Sequence, residues 1–250
     1  MKEIMQGMIV AFAMYSAIPM PRIEWNERNM KYCVCFFPLV GAVTGALGIL
    51  WQALWGLTGT GPFFRAAVFV LIPAAVTGGI HLDGMLDTAD ALSSHQEKEK
   101  KLEILKDSRA GAFAVMTGIC YFLLLLAAFT ETEAGDIPVI ALGYVLSRAY
   151  SALALVWFPK AKNSGLLRTF ADAAANRRVA AVMAALIAAV SAGMICLHAR
   201  KGAAGAGLAL LVFIGYYRMS MRQFGGITGD LAGWFLQMCE LATALGVALL

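Results

Sequence analysis

Three aspartates stand close together in the stretch GGIHLDGMLDTADAL, at positions 83, 87 and 90. Spacings of four and then three residues put Asp83, Asp87 and Asp90 on one face of a helix. Carboxylates stacked in this way repel one another, and no lysine or arginine is interleaved with them. A divalent cation relieves that repulsion. Magnesium takes oxygen ligands, keeps several waters and is commonly held by carboxylates together with the phosphates of a substrate. The stripe therefore predicts a Mg2+ site. With it comes transfer at a pyrophosphate-linked donor, a reaction that depends on positioning and charge neutralisation.

Other residues suit the same chemistry. The stretch KDSRAG brings Asp107 within reach of the metal site, and Lys106 and Arg109 to hold phosphate oxygens. The planar fork of an arginine fits that task. Arg148, in GYVLSRAYSAL, is a lone cation among apolar residues. It requires an anionic partner, either a carboxylate or a ligand phosphate. Asp230 follows a glycine-rich turn containing Gly225, Gly226 and Gly229, and Glu240 lies about three turns further along the same helix. His81, two residues before Asp83, points to another side of its helix and suits either packing or substrate contact. Asp83, Asp87, Asp90 and Arg109 are thus the catalytic candidates. His81, Lys106, Arg148, Asp230 and Glu240 are candidate substrate contacts.

The elements that carry these residues are apolar. Of the 250 residues 60% are hydrophobic and 14% charged, with a mean hydropathy of +0.71. Soluble domains are about 25% charged. Residues 32–64 and 110–130 contain no charged side chain, and each run exceeds the roughly 20 residues needed to cross a bilayer. Backbone groups in lipid must be paired internally, so the spans are helices. The expected fold is an all-α, polytopic integral membrane bundle. It has seven or eight membrane-embedded helices, near 4–19, 33–57, 64–92, 110–130, 137–158, 179–198, 203–223 and 229–250. The chain 1–250 forms one domain in this reading. Gly41, Gly45 and Gly48 share a helical side and predict close helix packing.

Fifteen of the 20 lysines and arginines fall in one set of alternate loops, which places those loops in the cytoplasm. The ends of the helices that carry the aspartates lie on that side. The first apolar segment follows Glu3 and lacks a small-residue cleavage site, so it reads as a retained helix and not a signal peptide. The five cysteines are scattered without zinc-ligand spacing and read as buried hydrophobes. The net charge of +4 argues against nucleic acid as a partner. A homo-oligomer is compatible with the sequence. An ion- or proton-coupled transporter is an alternative use of intramembrane carboxylates, but it favours a second copy of the broken acidic element, and no second stripe is present.

Around these residues the chain closely resembles the cobalamin synthase family. The resemblance is carried by GGIHLDGMLDTADAL and KLEILKDSRAGAFAV, and extends through SAIPMPRIEW, FFPLVGAVTGAL, LSRAYSALAL, NSGLLRTFAD and GGITGDLAG. It implies a multi-pass enzyme of the bacterial inner membrane that requires Mg2+. The implied reaction joins adenosylcobinamide-GDP to α-ribazole or its 5′-phosphate, releases GMP and completes the lower nucleotide loop of cobalamin. The family's acidic motif falls on Asp83, Asp87 and Asp90, its DSR on Asp107, Ser108 and Arg109, and its late GD on Gly229 and Asp230. Ser108 enters as a substrate contact on this ground alone. Where the last helix of the family often carries two glutamates, this chain has Gln237 and Glu240. The stripe is also similar to the acidic motif of CDP-alcohol phosphatidyltransferases, which would imply a lipid product. Here, though, Asp87 is followed by Thr88, Ala89 and Asp90, without the Ala-Arg pair of that motif.

Overall fold

In the computed structural model, the structure describes residues 2–107, 109–161 and 166–250. They form twelve α-helices: α1 (Lys2–Tyr15), α2 (Glu27–Met30), α3 (Phe37–Trp55), α4 (Pro62–Thr77), α5 (Ile80–Ser93), α6 (Lys98–Ile104), α7 (Ala112–Glu131), α8 (Ile137–Trp157), α9 (Leu166–Ala173), α10 (Asn176–Leu197), α11 (Ala199–Phe224) and α12 (Gly229–Ala248). A 3-10 turn over Cys33–Phe36 leads into α3. Among the described residues six helices are long and apolar enough to cross a membrane, and α4 with α5 makes a seventh if that bent pair is one span. This is the expected all-α membrane bundle, with one correction.

The span expected near 64–92 is broken between Thr77 and Ile80, where α4 and α5 meet at 96°. Gly78 and Gly79 have φ of +64° and +80°. That left-handed region costs glycine little and other residues much. The amides of both glycines turn back to the Ala74 carbonyl. The Ala17 amide donates to the Val76 carbonyl at 2.8 Å, satisfying a group freed by the break. The count of seven or eight turns on α1, whose 14 residues rise about 21 Å, short of the ~30 Å hydrocarbon core.

α8 is the hub. Its best apolar window is 83% buried, against 22% for α10, so α8 lies inside a ring of neighbours while α10 faces outward. α3 and α8 pack through glycine as expected. A Cβ at Gly41 would meet the Tyr144 carbonyl oxygen at 2.3 Å, and one at Gly45 the Ala141 oxygen at 2.8 Å. Gly48 turns instead to the Phe69 ring of α4, at 3.5 Å.

The two ends of the bundle differ in charge. The basic end gathers the starts of α3, α7, α10 and α12 and the finishes of α5, α8 and α11. At the opposite end, Lys201 binds both carboxylate oxygens of Asp136 at 2.8 Å. Arg65 donates there to the Thr132 carbonyl at 2.9 Å, closing off the finish of α7.

Candidate active site

The acidic helix α5 meets the start of α12 at the basic end. Gly84 is pressed against Asp230: a Cβ there would lie 2.8 Å from both the Asp230 Cα and its carbonyl oxygen. One turn along, a Cβ at Gly233 would lie 2.8 Å from the His81 carbonyl oxygen. The two helices therefore touch backbone to backbone, and the contact brings Asp230 beside the stripe. The carboxylates of Asp83, Asp230, Asp90 and Asp107 all act electrostatically on Asp87. Acids from three segments thus lie within electrostatic reach of Asp87.

Their charges are compensated unequally. Asp90 accepts from the amides of Gly111 at 2.5 Å and Ala114 at 2.8 Å, at the first turn of α7. Asp107 takes a two-pronged ion pair from Arg109, with Nε on Oδ1 at 3.0 Å and Nη2 on Oδ2 at 2.8 Å. The side-chain and backbone hydrogen bonds from Arg109 hold the Asp107 carboxyl well below the usual range, at about 2. Asp230 sits in the first turn of α12, where a helix N-terminus favours negative charge. Thr228 caps that helix, accepting from the Leu231 amide at 3.2 Å and donating to Asp230 at 3.3 Å. No hydrogen bond or ion pair reaches the carboxylate of Asp83 or Asp87 among the described residues. Asp83 is exposed and Asp87 half-buried.

A short strap fixes the start of α12. The Ala161 amide donates to the Ile227 carbonyl at 3.0 Å, and the Ile227 amide to the Pro159 carbonyl at 2.9 Å. Gly226 lets these strands touch, since a Cβ there would meet the Ala161 nitrogen at 2.4 Å. On the other flank Lys101 of α6 is buried and donates to Gln223 of α11 at 2.5 Å. Lys101 thus anchors α6 to α11.

The remaining candidates lie in the interior. Arg148 is wholly buried and Glu240 nearly so. Arg148 Nη1 donates to Glu240 Oε1 at 2.5 Å, to the Tyr144 carbonyl at 3.0 Å and to Ser147 Oγ at 3.2 Å. Nearby, Tyr121 donates to Gln237 at 2.5 Å. His81 is buried with its ring 5.7 Å from that of Phe37, and its Nε2 has no partner.

The model of one family, described as cobalamin-5-phosphate synthase, matches residues 7–248. The chain belongs to that family. Relatives of this synthase family named adenosylcobinamide-GDP ribazoletransferase include one from Lachnoclostridium phytofermentans, 43% identical over 96% of this chain and 92% of its own. Another, from Desulfitobacterium hafniense, is 32% identical over 97% and 96%. A third, from Geobacillus kaustophilus, is 31% identical over 95% and 93%. No solved structure matches.

Within this synthase-family chain Asp83, Asp90, Asp107 and Asp230 all act electrostatically on Asp87, and Arg109 is paired with Asp107. Lys106 is exposed on the same loop, and Ser108 lies outside the described residues. Three expectations are redirected. Asp90 spends both oxygens on α7 amides. Arg148 finds its counter-charge in Glu240 and not in a ligand, and Glu240 is thereby withdrawn from the substrate as well. An unpaired charge inside an apolar bundle costs far more than this pair does. Sequence reasoning missed Gly111 and Gly233. Their only signal was a small residue opposite a polar one, and the partner cannot be read from one chain segment.

The contact at Gly84 yields a test. Gly84→Ala must push α12 away from α5. Turnover is expected to fall at least about tenfold, with the protein still extracted as a folded species, because a misplacement near 1 Å can cost ~100-fold. Steady-state kinetics beside a detergent melting curve would show this, and native turnover would contradict the packing.

Proposed function

We propose that this family member joins adenosylcobinamide-GDP to α-ribazole or its 5′-phosphate and releases GMP. The observation that carries the reading is the pair Asp83 and Asp87, whose carboxylates have no partner among the described residues and lie in the field of the neighbouring acids. A hydroxyl of the ribazole attacks the phosphorus that bears the cobinamide. The new P–O bond forms as the bond to the GMP phosphate breaks, and the hydroxyl proton is released.

The donor's pyrophosphate is strongly anionic and cannot approach an acidic cluster unaided. Among the described residues no three acids, histidines or cysteines converge enough to enclose a metal by themselves. Hydrated magnesium needs no such cage, since one or two carboxylates and the substrate phosphates suffice. The donors present are all carboxylate oxygens, which suits it. Asp83 and Asp87 would hold the ion, with Asp230 alongside. When bound, it would neutralise the phosphate charge and stabilise the leaving phosphate. The chain's own part is positioning. Arg109, 86% exposed on its ion pair with Asp107, would contact donor phosphate. Arg109→Gln is expected to raise KM for the donor about tenfold. Unchanged KM and kcat would remove that role.

The basic end of the bundle would face the cytoplasm of a bacterial cell, where phosphorylated metabolites are found. The activity itself is tested by incubating detergent-purified protein with both substrates and measuring GMP. A transporter would give none without a gradient, and a lipid transferase would require a diacyl substrate.

A further inference from the structure

Asp90 differs from its two neighbours on the stripe. Both of its oxygens accept backbone amides, from Gly111 at 2.5 Å and Ala114 at 2.8 Å. Gly111 is the residue that opens α7. The negative charge of Asp90 therefore sits on a helix N-terminus that favours it, and it needs no metal to be stable. The fit is close. A Cβ at Gly111 would stand 2.7 Å from each Asp90 oxygen. Arg109 is two residues before Gly111, so two peptide units, at most about 7 Å of chain, separate the clasp from the Arg109 Cα. Asp87 lies three residues before Asp90, one turn back on the same helix face. Asp107, locked to Arg109, acts electrostatically on Asp87.

We propose that Asp90 is a positioning residue and not a metal ligand: it clasps Gly111 and Ala114 of α7 to the acidic helix, and so holds Arg109 in register with Asp83 and Asp87 for the donor phosphates. This rests on the transfer reading above and narrows it. It divides the stripe into two carboxylates that face the ion and one that builds the frame. It also assigns Gly111 a role, since any larger residue there displaces the Asp90 carboxylate.

The test uses full-length protein in detergent, with Asp90→Ala, Asp90→Asn, Gly111→Ala and Asp87→Ala, and three readouts. Hydrogen exchange follows the amides of residues 110–116. Electron paramagnetic resonance follows binding of Mn2+ alone. Kinetics give KM for the GDP-bearing donor. Asp90→Ala and Gly111→Ala are expected to speed exchange at 111 and 114 and raise KM about tenfold, with Mn2+ affinity within about threefold of the parent. Asp90→Asn keeps one acceptor oxygen and should fall between. Asp87→Ala should lose Mn2+. If Asp90→Ala loses Mn2+ as Asp87→Ala does, Asp90 is a ligand and the proposal fails. Native exchange and native KM in both Asp90→Ala and Gly111→Ala overturn it equally. If Asp90→Ala does not fold, Asp90→Asn and Gly111→Ala decide the matter. A parent protein that binds Mn2+ yet releases no GMP removes the transfer reading, while exchange still judges the clasp.

Discussion

Asp87→Asn is expected to lower GMP release at least about 1,000-fold, a loss near 4 kcal/mol of transition-state stabilisation. The substitution keeps the size of the side chain and removes its charge. Asp87 lies where four other carboxylates act on it, with no amide, cation or hydroxyl of the described residues hydrogen-bonded to its carboxylate. Its charge thus stabilises nothing within the fold that the structure describes. Asparagine there should relieve repulsion, and the variant should melt at or above the temperature of the parent. Loss of activity without loss of stability marks a residue kept for a ligand. Asp83→Asn should behave in the same way, because Asp83 is exposed and equally unpartnered. Asp107→Asn should not, because it leaves Arg109 without its ion pair. Retention of more than about a tenth of parental turnover by Asp87→Asn would remove the metal-facing role. Single-turnover GMP release and a melting curve on the same preparation supply both numbers.

The second large effect is on stability. Arg148→Met should destabilise the bundle by about 3–5 kcal/mol, because it strands the Glu240 carboxylate in the interior. The double variant Arg148→Met, Glu240→Leu removes both charges and should recover most of that loss. Buried ion pairs replaced whole by apolar groups are often neutral or better. The pair links α8 to α12 at 2.5 Å and is wholly inside. Thermal unfolding in detergent of the parent, both single variants and the double variant forms a cycle that isolates the coupling. If Arg148→Met were as stable as the parent, the burial of Glu240 as a charged partner would be wrong. If Arg148 instead served phosphate, the double variant would lose donor binding however stable it was.

The helices were legible in the sequence because lipid leaves so few alternatives. Long uncharged runs such as residues 32–64 force spans, and alternating basic loops order their ends. The acidic stripe was legible for a related reason: three like charges at fixed helical spacing have few bland explanations. What could not be read were partners across the fold. The glycine pair at 78 and 79 was visible, but a run of apolar residues on both sides made one long helix look continuous. The break depends on Ala17, from a distant segment, supplying its amide to Val76. Asp90 looked like its neighbours because spacing reports a shared face, not which oxygens a later helix will occupy. Arg148 was rightly seen to need an anion, and two kinds were open. Glu240 could be chosen only once α8 and α12 were side by side. Asp230 was marked by its glycines, yet its place beside the acidic helix follows from the tight contact at Gly84, which one segment alone does not reveal.

The account stands or falls on whether the acidic cluster at the basic end works with a dication on a pyrophosphate donor. The direct measurement is GMP release by detergent-purified protein given adenosylcobinamide-GDP and α-ribazole, after chelation and again after Mg2+ is restored. The account predicts no GMP without the ion, full release with it, and none in either condition from Asp87→Asn. Equal release with and without Mg2+, or release by Asp87→Asn at the parental rate, would contradict it.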